Sequence, residues 1–304
     1  MNDRCPHRSS QLSLGRVANG RIQCPFHGFE FDAAGACQVI PANGRQAPVP
    51  RTFQCRVYPA QEAHGLIWAW YGQPRAEYPR LPWFSNLDGF EHDTLRRPWD
   101  VDLTRAVEGL LDVSHLPFVH ARTIGRDQKT LINGPYTTLD DDTIRVWVSN
   151  QPDEGLPPAK PSQLRSPVGP PTLEFRFPNV WQIRISDRIR AVNVIAPVED
   201  GKCVIYVRSY IKLPLPKAVG RTMAKINNLF NRYILAEDYP VIRSQMPKVS
   251  DLDIGERFIP ADRPIVLYLQ RRRELIDASR TGDIESNTRS LDCAARAEKS
   301  SSAT

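Results

Sequence analysis

The chain has 304 residues, with 40 Lys and Arg against 34 Asp and Glu, a net charge of +6 and 41% hydrophobic residues. That balance suits a folded protein large enough for two domains rather than a disordered one. Apart from Arg271-Arg272-Arg273 the positive charge is spread along the sequence with no nucleic-acid module around it, which leaves a solvated basic surface or the docking of an acidic partner protein. No apolar run is long enough to span a bilayer and no N-terminal signal pattern is visible, so a cytoplasmic protein without a membrane span is expected.

In chain order, the first signals are Cys5-Pro6-His7 and Cys24-Pro25-Phe26-His27. Each offers one thiolate and one imidazole, the donor set of a [2Fe-2S] cluster with two Cys on one iron and two His on the other. Zinc modules, the competing reading, usually place their two Cys together and their two His together. Residues 20–31 read as a strand, a ligand loop and a second strand, with Gly28 and Gly35 as turn residues. Val57-Tyr58 and Leu66 to Tyr71 read as strands that close this first domain. The Pro-rich stretch from Pro74 to Pro82 marks a boundary.

Beyond it lies Glu108-x3-Asp112-x2-His115-x4-His120, followed more than a hundred residues later by Glu237-Asp238. Two His and a carboxylate form a facial three-ligand site for Fe(II) that leaves positions open for O2. The spacing of four and three puts Glu108, Asp112 and His115 on one helical face, and Pro117 is expected to end or kink that helix so that His115 and His120 reach one metal. Asp112 is then placed to accept a hydrogen bond from a ligand imidazole. Alternating strands are read at residues 143–148, 173–177, 181–185 and 203–208, and helices at 217–246 and 265–276. From Ser279 onward a disordered tail is expected. Phe118, Trp147, Phe175, Phe177 and Trp181 are candidates for core packing, some of them for an apolar substrate pocket. Cys37, Cys55, Cys203 and Cys293 show no framework spacing and read as free thiols.

The runs Cys5-Pro6-His7-Arg8 and Cys24-Pro25-Phe26-His27-Gly28-Phe29-Glu30-Phe31-Asp32, with Gly35 and Cys37, resemble the Rieske domain of ring-hydroxylating non-haem iron oxygenases. Asp112-Val113-Ser114-His115-Leu116-Pro117-Phe118-Val119-His120 resembles their iron-binding segment, closest to the monooxygenase branch that holds vanillate O-demethylase and pheophorbide a oxygenase. The similarity covers roughly residues 4 to 275. It implies an α+β fold: a small antiparallel-β Rieske domain over residues 1–73, incomplete at its N-terminus, a linker over 74–98, and a helix-grip catalytic domain with a curved antiparallel sheet over 99–278, followed by the tail at 279–304.

The resemblance further implies cluster ligands Cys5, His7, Cys24 and His27, mononuclear Fe(II) ligands His115, His120 and Asp238, and Asp112 as the link between the two metal centres. The expected activity is hydroxylation or oxidative demethylation of an aromatic or other ring-containing substrate, using O2 and electrons from a ferredoxin or flavin reductase, in a homotrimer. A Rieske electron carrier without oxygenase activity is the alternative; carriers of that kind have an additional disulfide across the cluster loops, where this chain has Ser10 and Phe26. Relatives commonly carry Asn where Gly109 stands.

Overall fold

The computed structural model describes residues 1–72, 74–159 and 163–281. Two compact units result, Met1–Arg80 and a second that begins at Leu81. In the first, β1 (Arg16–Ala18), β2 (Arg21–Gln23), β3 (Glu30–Phe31) and β4 (Cys37–Val39) pair antiparallel in sequence order. Asn19 and Gly20, both at positive φ, make the tight β1–β2 turn. A separate hairpin joins β5 (Ala60–Ala63) to β6 (Leu66–Ala69) through His64 and Gly65, again both at positive φ. The strand expected at Val57-Tyr58 is not formed; pairing starts at Ala60. Gly35 has φ +84°, and a Cβ there would lie 2.2 Å from the Cys55 carbonyl oxygen. That close approach lets Cys55 N–H donate to Gly35 O and Cys37 N–H to Phe53 O, tying the 53–55 segment to β4.

The second unit is built on a seven-stranded sheet. Its elements are β7 (Glu91–Trp99), α1 (Leu103–Leu111), α2 (Leu116–Val119), β8 (Leu131–Ile132), β9 (Tyr136–Asp140), β10 (Thr143–Trp147), β11 (Asn150–Gln151), β12 (Leu173–Arg176), β13 (Val180–Arg184), β14 (Ile189–Glu199), β15 (Lys202–Ile211), α3 (Lys217–Ser244) and α4 (Arg263–Thr281). The sheet order is β7-β15-β14-β13-β12-β10-β9 with antiparallel neighbours throughout, and β8 pairs with β11 apart from it. α3 packs on β7 and β15, α1 on β14 and β15, and α4 on β9 and β10. A single apolar core joins Val107 and Leu111 of α1 to Phe175, Trp181, Ile195 and Ile205 of the sheet and to Tyr268 of α4.

Two differences from the sequence reading have physical causes. Residues 91–98, assigned there to a linker, are most of β7, whose outward positions His92, Thr94, Arg96 and Pro98 are exposed and so carry no apolar signal. β14 went unread because Arg190 to Ile195 are all buried, erasing the two-residue alternation. Of the tail expected from Ser279, residues 279–281 continue α4 and the rest lies outside the described residues. No helix among the described residues is long and apolar enough to cross a membrane.

Candidate metal centres

In the first unit two short loops present the four sequence-predicted donors. Cys5 O accepts from Ser9 N–H and Cys5 N–H donates to Ser10 O, both at 2.9 Å. Cys24 O accepts from Gly28 N–H at 3.0 Å and Cys24 N–H donates to Phe29 O at 2.8 Å, with Gly28 at φ +71°. These turns leave the thiols of Cys5 and Cys24 3% and 2% exposed, while His7 and His27 stand at the surface with ring centroids 4.7 Å apart. Phe29 stacks on His7 at 4.7 Å and nearly parallel. Burial pushes the Cys5 thiol up, opposed by the His7 backbone N–H and reinforced by the adjacent Cys24 sulfur. Two buried sulfurs beneath two rim imidazoles fit a cluster whose inner iron takes thiolates and whose outer iron takes His. Cys37 and Cys55 share the same core as free thiols, the latter pushed up to about 11, mainly by burial. Cys203 is also free, and Cys293 lies outside the described residues.

In the second unit Asp112, His115, His120, Glu237 and Asp238 come together, though not as the helical spacing implied. α1 stops at Leu111, and Asp112 takes extended backbone at φ −64°, ψ 129°. The cause is local: Asp112 Oδ1 accepts from Ser114 N–H at 2.6 Å and from Ser114 Oγ–H at 2.7 Å, an Asx turn that competes with the helix. Asp112 and His115 therefore do not share a helical face with Glu108. Pro117 does not break a helix either; it occupies the first turn of α2, where a missing N–H costs nothing. His115 and His120 bracket this single turn, their rings 5.1 Å apart.

α3 supplies the carboxylates. Asp238 Oδ1 lies 3.0 Å from His120 Nε2 and 3.6 Å from His115 Nε2, and the donor atoms of His115, His120 and Asp238 all fall within 4.8 Å of one another. Glu237 points elsewhere: its Oε2 meets His120 Nδ1 at 2.8 Å and accepts from Thr123 Oγ–H at 2.8 Å. Burial alone would depress the His120 imidazolium, but Asp238 and Glu237 override it and hold its pKa above the ordinary value. Asp112 is penalised by burial, yet His115 and Ser114 keep its carboxyl below the usual range. His115 Nδ1 is buried without a hydrogen-bond partner; Asp112 Oδ2 lies 3.8 Å away, too long for a hydrogen bond. Two imidazoles and one carboxylate, with one ring held through its far nitrogen, fit a facial Fe(II) triad.

A cleft of about 320 Å³ adjoins this triad, lined in part by Gly109, Asp112, His115, Asp238, Ile242 and Phe258. Ile242 occupies the space beside Gly109, its Cδ1 2.3 Å from where a Cβ would be. In the wall of the cleft the guanidinium of Arg105, 2% exposed, donates to Glu108 at 2.9 Å, to Glu256 at 2.7 Å and to the Pro247 carbonyl, while Ser250 Oγ–H donates to Glu108. Thr123 and the Arg105 network escaped the sequence reading; only the Arg-x-x-Glu spacing on α1 hinted at the latter. Of the five aromatic candidates Phe175, Phe177 and Trp181 are buried, Trp147 is half-buried, and Phe118 is 71% exposed.

Residues 1–59 match the Rieske [2Fe-2S] domain and residues 99–278 match the vanillate O-demethylase oxygenase C-terminal domain. Methylxanthine N1-demethylase NdmA of Pseudomonas putida is 29% identical over 292 residues, 93% of this chain and 78% of the relative. Its solved structure superposes with a TM-score of 0.68 at 25% identity, covering 92% of this chain and 78% of that one. The vanillate O-demethylase oxygenase subunit of Pseudomonas sp. (strain ATCC 19151) is 35% identical over 148 residues, 45% of this chain and 41% of the relative. Dicamba monooxygenase bound to dicamba, at 19% identity, shares the fold with a TM-score of 0.66 over 92% of this chain and 86% of that one. With a Rieske domain joined to a catalytic domain of this type, the chain belongs to the vanillate O-demethylase-like Rieske non-haem iron oxygenases, which carry a [2Fe-2S] cluster and a mononuclear iron, and is an oxidoreductase rather than a bare electron carrier.

Proposed function

We propose that the chain demethylates or hydroxylates a ring-bearing organic substrate with O2, with Cys5, His7, Cys24 and His27 holding the cluster and His115, His120 and Asp238 holding the iron. The observation that carries this reading is the convergence of two imidazoles and one carboxylate within 4.8 Å beside a cleft. Bound iron supplies O2 activation at the positions its three protein donors leave open, and the cluster supplies the electrons one at a time. The protein's own part is positional. Glu237 fixes the orientation of the His120 ring through Nδ1, and α2 holds the two imidazoles one helical turn apart. The demethylase names of the relatives, methylxanthine and vanillate among them, favour removal of a methyl group from nitrogen or oxygen.

The same reading assigns a ferredoxin or flavin reductase as electron donor, a cytoplasmic location, and a homotrimer in which the cluster of one subunit serves the iron of the next, with Asp112 between them. Asp112 supports this by lying beside His115 with its Oδ2 free of the Ser114 turn. The test is O2 consumption with a surrogate reductase across vanillate, caffeine and dicamba, on protein whose iron is counted first. About three irons per chain are expected from a cluster and one mononuclear site. Full iron with no substrate-dependent O2 uptake and no product would overturn the substrate class; zinc in place of iron would overturn the whole reading. Asp112→Asn should keep both metals and a reducible cluster while turnover falls about 10–100-fold or more. Unchanged re-oxidation of a pre-reduced cluster in the presence of substrate and O2 would remove Asp112 from the path.

A further inference from the structure

One rung of the large sheet runs from Leu95 on β7 through Val207, Asn193, Trp181, Phe175 and Ile144, each opposite the next across a strand pair. Side chains in one rung share a face. This is the face covered by helices: Phe175 meets the Tyr268 ring of α4 at 5.4 Å, and Trp181 belongs to the core that contains Val107, Leu111 and Val113. Val113 sits between Asp112 and His115, so the rung and the metal-bearing segment border one apolar region.

Within this rung Asn193 is the only polar side chain apart from the Trp181 indole nitrogen. Asn193 is 5% exposed and its Oδ1 has no hydrogen-bond partner; Trp181 is 7% exposed and its Nε1 has none either. Buried polar atoms are nearly always paired, so an acceptor and a donor opposite each other, neither with a protein partner, are open to a group that arrives from outside. Opposed residues on one sheet face have their Cβ atoms about 4.5–5.5 Å apart, close enough for both to grip one small group.

We propose that Asn193 and Trp181 form the hydrogen-bonding anchor of the substrate subsite, and that they take the edge of a ring-borne amide, a C=O next to an N–H. The Trp181 indole N–H donates to the carbonyl and Asn193 Oδ1 accepts from the amide N–H. The apolar residues of the rung and the helices cover the faces of the ring. The inference rests on the oxygenase reading and deepens it by naming a substrate class. It also predicts an asymmetry between stability and binding. Asn193 Oδ1 and Trp181 Nε1 hold no protein partner and so add nothing to folding through protein hydrogen bonds, so apolar replacements of like volume are tolerated, whereas the ligand's polar atoms would be left unpaired against them.

The experiment uses holoenzyme, with iron and sulfide counted first, as wild type, Asn193→Leu and Trp181→Phe. Thermal unfolding is followed together with calorimetric binding of 2-quinolone, its N-methyl derivative and naphthalene. Both variants should keep their metals; Asn193→Leu should unfold at or near the wild-type temperature, and Trp181→Phe a few degrees below it, the cost of the volume the smaller ring leaves empty. Wild type should bind 2-quinolone at least about tenfold more tightly than the other two probes, about what one hydrogen bond is worth. Asn193→Leu should lose the preference over the N-methyl derivative, and Trp181→Phe should weaken both carbonyl compounds about equally. A fall of several degrees in Asn193→Leu means that this side chain already has a partner, and overturns the proposal. So does wild-type protein with its full iron that binds 2-quinolone no better than naphthalene, a result that leaves the oxygenase reading standing.

Discussion

The two candidate metal centres present histidine in opposite ways. In the first unit the sulfurs are buried and His7 and His27 face solvent, held by ring contacts with Phe29, Phe26 and each other. In the second, His120 is 1% exposed and both its nitrogens meet carboxylates. On the proposed assignment the exposed His7 and His27 imidazoles are ports through which electrons enter or leave the cluster without the protein opening. On the same assignment His120, buried and held at Nδ1 by Glu237, is a ligand whose geometry must not drift. The small unit is therefore built for access and the large one for positional control, and the expected behaviour of variants divides along that line.

The largest effects come from the ligand sets. His120→Ala or Asp238→Ala should lower iron from about three to about two per chain with the cluster's visible absorption intact, whereas Cys24→Ala should lose the cluster and leave about one. Turnover should vanish in all three. Iron and sulfide assays with visible spectra decide it, and loss of both centres in any one variant would mean that the units do not load independently.

Arg105→Ala comes next. It leaves Glu108, 4% exposed, as an unpaired charge in the wall of the cleft. Removing one partner of a buried pair costs about 3–5 kcal/mol, so urea unfolding should shift by that amount, and Arg105→Met with Glu108→Leu should recover most of it. A single-variant loss under about 1 kcal/mol, typical of exposed pairs, would show the network to be solvated. Smaller again is Glu237→Gln, which weakens the grip on His120 Nδ1 without touching a ligand atom. An iron affinity lower by about 10–100-fold is expected, with the cluster unaffected. Equal affinity would mean that a neutral acceptor at Nδ1 together with burial suffices to orient the ring.

How much of this was legible in the sequence followed the chemistry of each signal. The proposed donors Cys5, His7, Cys24, His27, His115, His120 and Asp238 stand out in the sequence because the set of residue types a metal takes is narrow. Helix α3 was readable almost to the residue, ending at Ser244 against an expected 246. The end of α1 was not: a helical face was drawn through Asp112 because its spacing fitted, and the Asx turn onto Ser114 competes at a distance of two residues that periodicity does not weigh. Nor could sequence separate the tasks of Glu237 and Asp238. Neighbours on a helix point about 100° apart, and only the placement of His115 and His120 decides which carboxylate meets both Nε2 atoms. The Arg105 network joins residues about 140 positions apart, beyond any local pattern.

The smallest effect concerns Gly109, and it tests how tightly the large unit's positional control is packed. In a helix interior Gly→Ala normally stabilises by up to about 1 kcal/mol. Here the new methyl would meet Ile242 Cδ1 at 2.3 Å and Cγ1 at 3.2 Å, and Ile242 is itself packed against the core. Overpacking of that kind costs about 1–3 kcal/mol, so Gly109→Ala should be destabilising on balance. In an Ile242→Ala background the obstacle is gone and the sign should reverse, with Gly109→Ala now gaining the helix propensity it lacked. A double-mutant cycle by urea unfolding reads the coupling directly, and the same penalty in both backgrounds would show that Ile242 is not what keeps position 109 bare. If the sign does reverse, Gly109→Asn together with Ile242→Ala becomes the variant that brings back the relatives' Asn beside the cleft, and its iron affinity measures what this chain gave up by filling that space with an isoleucine.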